Sequence, residues 1–228
     1  MEQAGTLPAA TQVRFNRFLA TVYLIMAIGM VVTAAAATTV YGNPALMKRI
    51  LFDSWFVWGL FLLQIIIVAW LSAAVMRMST GAAFLLFLLY SFLTGITLSS
   101  IFVYYSTSDI TNTFWLAAGM FLLASIAGFF VKGDMSAVGR FLMLVLLGWL
   151  FGWILVWLFP SPGLDRAMNF TGIVLFSALT VWDTQRLKQI STQMEGRQGA
   201  GGLAVIGALA LYLDFINLFL LLLRTTRR

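Results

Sequence analysis

Apolar residues in this chain fall into long uninterrupted runs, not into alternation or a single helical stripe. Seven runs are long enough to span a membrane core, which takes about 20 helical residues for ~30 Å of hydrocarbon. They cover approximately 18–40, 55–76, 82–105, 113–131, 138–159, 168–189 and 203–223. The breaks carry turn and charge signals: Gly42-Asn43-Pro44 followed by Lys48-Arg49, Ser79-Thr80-Gly81, Ser106 to Asp109, Lys132-Gly133-Asp134 and Pro160-Ser161-Pro162-Gly163. The spacing predicts an all-α membrane protein. Residues 1–17 are a polar N-terminal segment, 18–223 the transmembrane domain and 224–228 a basic C-terminal tail. Glu195 to Gly202 is glycine-rich but lacks a following Gly-Lys-Ser/Thr and a preceding strand, so it reads as a flexible hinge and not a phosphate loop.

Composition agrees. The 228 residues are 61% hydrophobic and 10% charged, with a mean hydropathy of +0.96. A soluble domain of this size has no way to hide so much apolar surface. The net charge of +6 sits mostly at helix ends and in loops, where lipid head groups are the natural partner, so nucleic acid is not expected. Eight basic residues fall on the side of the N-terminus and six on the other, which favours a cytoplasmic N-terminus. That terminus lacks a cleavable signal pattern, so the first run is expected to be retained. The absence of cysteine and histidine removes disulfides, thiolate nucleophiles, His-held haem or zinc and Ser-His catalysis. Trp55, Tyr104, Tyr105 and Trp157 fall near run ends and read as interface anchors.

Two acids interrupt this apolar background. Asp183 lies in the sixth run and Asp214 in the seventh. An intramembrane carboxylate is expensive and is a functional-site candidate by default. Acids on consecutive helices suggest a pair sharing a proton. Gly207, Ala210, Asp214, Asn217 and Leu221 recur at three- or four-residue spacing, so a small and polar stripe should face the bundle interior. Asp214 is eleven residues beyond Leu203, or about 16 Å, near the midplane. Asp183 is fifteen residues beyond Met168, or about 22 Å, with Thr180 one turn before it and Arg186 one turn after. Arg77 closes the second run on the same side as Asp183, where it either snorkels to head groups or pairs with that acid. Ser91, Thr94, Gly95, Thr97, Ser99 and Ser100 in the third run read as packing, with a wet path as the alternative. Gly148 and Gly152 read as packing only. The bland reading of the acids is interhelical hydrogen bonding, worth ~0.6 kcal/mol.

Three stretches carry a family resemblance: Ser91 to Phe102 in the third run, Val181-Trp-Asp-Thr-Gln-Arg-Leu-Lys in the sixth, and Ala210 to Arg224 in the seventh. The chain resembles the Bax inhibitor-1 family, also called the transmembrane Bax-inhibitor-motif family, and most of all its bacterial inner-membrane members. The resemblance implies seven helices with the last one central, and a pH-sensitive calcium leak. It places the family's acid pair on Asp183 and Asp214 and its basic partner on Arg77. One departure is Gln64, a neutral amide in the second run, where family members can carry an acid. On this reading the protein is not an enzyme and holds no cofactor. Ca²⁺ is the permeant ion, and Asp183, Asp214 and Asn217 offer the oxygen ligands it favours. Thr180 and Ser99 are candidates for the ion pathway. The alternatives are a membrane protein that modulates a membrane-bound protease, as some bacterial relatives are associated with doing, a proton-coupled transporter, and an intramembrane aspartyl protease. The last lacks its motif here, because Asp214 follows Leu211-Tyr212-Leu213 and not Gly-x-Gly. No oligomeric state is assigned.

Overall fold

The computed structural model describes residues 9–131, 133–193 and 200–226. Among them the chain forms nine α-helices and one 3₁₀ turn: α1 (Ala9–Tyr41), α2 (Pro44–Phe52), α3 (Ser54–Ala74), the turn Val75–Arg77, α4 (Thr80–Leu98), α5 (Ile101–Tyr104), α6 (Thr107–Phe130), α7 (Ser136–Leu158), α8 (Pro162–Gln193) and α9 (Ala200–Thr226). No strand occurs among the described residues.

The helix starts follow capping chemistry. The Ser79 hydroxyl accepts the Ala82 N–H at 3.2 Å, and the Ser106 hydroxyl accepts the Asp109 N–H at 3.1 Å, each satisfying an otherwise orphaned donor. Lys48-Arg49 falls on the short helix α2 and not in a loop. The Asn43 carboxamide oxygen accepts the Ala45 and Leu46 N–H groups, and Pro44 occupies the first helical position, where its missing N–H costs nothing. Asp53 ends α2 and caps α3 through the Phe56 N–H at 3.1 Å. Pro162-Gly163, expected to be a break, opens α8 for the same reason. Helix also begins at Ala9, inside the polar N-terminal segment.

Among the described residues, six helical stretches are long and apolar enough to cross a membrane: 16–41, 54–77, 80–104, 107–130, 136–158 and 201–226. Seven were expected. The sixth run lies in α8, whose Asn169, Ser177, Thr180, Asp183 and Thr184 dilute its apolar content. The third run holds a turn at Ser99-Ser100 between α4 and α5. The hydroxyls of Ser99 and Ser100 bond the Ile96 and Thr97 carbonyls, an alternative to the helical ladder that loosens it.

The chain divides into two compact units. The first comprises residues 1–100 and 187–209, the second 101–186 and 210–228. In the first, α1 and α4 pack closely. A Cβ on Gly29 would lie 2.5 Å from the Phe87 ring, and one on Gly95 would run into the Thr33 carbonyl oxygen. Thr33 donates to the Ser91 carbonyl at 2.9 Å. On α3 the buried stripe is Leu60, Gln64, Ile67 and Leu71, one face at helical spacing. The Gln64 amide donates to the Leu93 carbonyl of α4 at 3.4 Å. Gly201 and Gly202, expected in a hinge, are helical and abut Thr80 and Val75. The rest of that loop, 194–199, lies outside the described residues, as do Lys132 and the terminal residues 1–8 and 227–228.

In the second unit, α6, α7, α8 and α9 pack around aromatic and glycine contacts. Phe215 meets Phe114 and Phe121 edge to face, with ring centroids 5.6 and 5.7 Å apart. The Trp149 indole donates to the Met168 carbonyl at 2.8 Å. Gly152 sits against Met168, whereas a Cβ on Gly148 would meet nothing within 4 Å. The Gly148–Gly152 spacing is therefore half a packing motif. Of α7 only Gly139 and Leu142 are buried. In contrast, 67% of the most apolar 18-residue stretch of α9 is buried.

Candidate functional site

The site is built where α8 and α9 run antiparallel within the second unit. The register is held at one end by polar contacts. Arg224 reaches Asp165 at 3.6 Å and lies 4.4 Å over the Trp153 ring. One turn further in, the Asn169 amide donates to the Leu221 carbonyl at 3.0 Å. Gly172 admits Leu221 beside Trp149. Further along the same two helices, Thr180 and Asp183 reach Asp214.

There the carboxyl groups of Asp183 and Asp214 are in hydrogen-bond contact, and Thr180 also bonds Asp214. Both acids are buried, Asp183 at 9% and Asp214 at 5% relative exposure, and Thr180 is wholly buried. Ionised carboxylates only accept hydrogen bonds, so a bond between two of them requires one proton. The Thr180 hydroxyl has one hydrogen and is 2.8 Å from the Phe176 carbonyl. If it serves that carbonyl, its contact with Asp214 also needs the acid's proton. The second carboxyl oxygen of Asp214, Oδ2, is buried with no hydrogen-bond partner among the described residues.

Sequence reasoning missed several neighbours. Ser125 Oγ on α6 and Thr184 Oγ1 on α8 are also buried without partners among the described residues. A Cβ on Gly128 of α6 would lie 2.5 Å from the Val181 carbonyl oxygen and 2.9 Å from Thr184 Cβ, so α6 approaches α8 closely beside Asp183. Gly139 of α7 faces the Trp182 indole. Gln185 is buried and donates to the Gly133 carbonyl at 2.6 Å. Gly133 has φ +104°, a conformation that suits glycine, so the turn before α7 is fixed onto α8 two residues from Asp183. The usable signal was small or polar residues inside apolar runs. Just outside the span, Asp134 accepts from the Ser136 N–H and hydroxyl, which hold its carboxyl below the usual carboxylate range.

The other expected site residues are placed as follows. Arg186 is the cation whose charge acts on Asp183; it lies 5.3 Å from the Trp182 ring centroid. Arg77 ends the 3₁₀ turn in the first unit, is exposed, and makes no ion pair among the described residues. Asn217 is half-buried and spends its amide on the Leu213 carbonyl of its own helix at 2.8 Å. Ser91, Thr94, Thr97, Ser99 and Ser100 all turn their hydroxyls onto α4 backbone carbonyls. No group of three or more acidic side chains that could hold a metal ion occurs among the described residues.

Residues 15–227 match the family described as Inhibitor of apoptosis-promoting Bax1. The chain belongs to the Bax inhibitor family. It is 39% identical over 209 residues to the inner membrane protein YbhL of Escherichia coli K12, covering 91% of this chain and 89% of the relative. An uncharacterized protein of Deinococcus radiodurans is 35% identical over 98% of this chain and 95% of its own. The uncharacterized protein YrjE of Lactococcus lactis is 34% identical over 92% and 89%. With its apolar helices, the chain is a multi-pass membrane protein.

Proposed function

We propose that this family member is a pH-sensitive calcium leak channel of the bacterial inner membrane, gated by protonation of the Asp183–Asp214 pair. The observation that carries the reading is the hydrogen bond between two buried carboxyls on adjacent helices. While the pair keeps one proton, that bond ties α8 to α9. As pH rises and the proton leaves, the bond is lost and two carboxylates repel, so proton occupancy selects between two helix arrangements. Ser125, Thr184 and Asp214 Oδ2, without partners among the described residues, are the groups a second arrangement would engage. Arg77 is the basic partner that the family implies for the deprotonated pair.

In this reading α8 is the seventh membrane crossing, its polar content being that of a functional helix. The N-terminus is cytoplasmic, α9 is the enclosed helix of the bundle, and the protein is not an enzyme. Ca²⁺ is cargo and meets the carboxylates in transit.

The test is Ca²⁺ flux into proteoliposomes between pH 5 and 8, for the parent, Asp183→Asn and Asp214→Asn. The expected result is flux that follows pH in the parent and a flattened dependence in either variant. Flux equal to that of empty liposomes, or variants that track the parent, would reject the gate and leave the acids as interhelical glue.

A further inference from the structure

The first unit contains a groove that the acid pair does not use. It has a volume of about 370 Å³ and is lined by residues of α1, α2, α3 and α4, among them Val32, Ala36, Leu46, Ile50, Phe56 and Phe92. Its one hydroxyl, Thr39, is turned away onto the Ala35 carbonyl at 2.7 Å. The wall is therefore apolar throughout.

Position decides what fills it. The short helix α2 forms one end of the groove and leads into the corner where Phe52 and Trp55 are 78% and 88% exposed. Aromatic residues at such a corner mark the membrane–water interface. On α2, Leu46 and Ile50 line the groove, while Lys48 and Arg49 are exposed. At 100° per residue, Arg49 flanks the groove-facing side and Lys48 lies on the opposite, outer side. Neither makes an ion pair among the described residues. The acid next to them, Asp53, uses Oδ1 to cap α3, and the local balance of these three groups remains positive.

We propose that this groove binds one acyl chain of an anionic phospholipid, with the phosphate of its head group at Arg49 and within the field of Lys48. A groove in hydrocarbon forfeits dispersion contacts unless a chain occupies it. Since lipid tails are as apolar as the wall, the groove does not discriminate among lipids. Selection falls to the head group, which exposed basic residues at the interface supply.

The experiment is lipid retention in nanodiscs made from equal phosphatidylglycerol and phosphatidylcholine, followed by detergent extraction and native mass spectrometry of the full chain. The parent is expected to retain phosphatidylglycerol preferentially. Arg49→Gln and Lys48→Gln are each expected to reduce that preference, roughly fivefold per full interfacial charge and more at Arg49. Ala35→Phe, at an exposed position that lines the groove, should lower retention of both lipids. Excess glycerol phosphate should not displace the bound lipid. All three side chains are exposed, so helicity and elution should match the parent, and loss of retention would not report misfolding. Equal retention of the two lipids, parental preference in Arg49→Gln, parental retention in Ala35→Phe, or displacement by glycerol phosphate would each overturn the proposal.

Discussion

In the first unit, buried polar groups serve packing and are satisfied. Thr33, Ser91, Thr94, Ser99 and Gln64 each donate to a backbone carbonyl, and among the described residues the Tyr23 hydroxyl is the exception. In the second unit the same device, a glycine admitting a neighbouring helix, surrounds polar atoms that have no partner among the described residues. These are Ser125 Oγ, Thr184 Oγ1, Asn169 Oδ1 and Asp214 Oδ2. Each such group costs about 1–3 kcal/mol even when neutral. Polar content alone therefore does not mark function in a membrane protein. The distinction lies in whether the polar groups have already found partners.

The largest effect should come from the device that both regions share. Gly95→Leu drives a side chain into the Thr33 carbonyl, and Gly128→Leu drives one into Val181 and Thr184. Backbone cannot yield as a flexible side-chain tip does, so each should cost about 3 kcal/mol or more. Gly119→Leu, with nothing within 4 Å, should stay within about 0.5 kcal/mol. Thermal unfolding in detergent decides this. Equal losses at all three positions would show that the close approaches do not hold the helices within each unit.

A smaller effect separates the regions. Thr33→Val removes bonds to the Gly29 and Ser91 carbonyls, which do not titrate. Its cost should be about 1 kcal/mol and the same at pH 5 and pH 8. Thr180→Val removes a partner of Asp214. If the pair loses its proton across that range, the Thr180 hydroxyl becomes a donor to a carboxylate at the higher pH, a bond roughly twice as strong as a neutral one. The cost should then rise from about 1 kcal/mol at pH 5 to about 2 at pH 8. Stability curves at the two pH values measure the difference, and parallel behaviour of the two variants would remove the titrating contact.

The same contrast explains what the sequence made legible. Six of the seven expected spans are long apolar helices because run length is a strong signal. The sixth run falls short because the residues that build the site also lower its hydropathy. Asp183, Asp214 and Thr180 were found from the rarity of polar groups in apolar runs, and the structure brings these three together. Ser125, Thr184 and Gly128 were not found, because their role depends on which face of α6 meets α8, and periodicity is mute in a helix apolar on every side. The α2 helix was missed because nine residues with two cations read as a loop until Asn43 and Pro44 are recognised as a start.

The smallest effect tests whether the acids' register depends on charge at the helix ends. Arg224 and Asp165 are 48% and 43% exposed, so solvent screens the pair and it should contribute less than about 1 kcal/mol. The stacking of Arg224 on Trp153 adds a comparable amount. Arg224→Gln should therefore lower stability by about 1 kcal/mol in low salt and by less in high salt. In a double-mutant cycle with Asp165→Asn, the coupling should nearly vanish at high ionic strength. Asn169, buried and bonded to the Leu221 carbonyl, should hold α8 against α9 when the outer pair is gone. Flux in Arg224→Gln is then expected to keep the parental pH dependence. A shifted pH profile would mean that the register at Asp183 and Asp214 is set from the helix ends and not by the buried contacts between them.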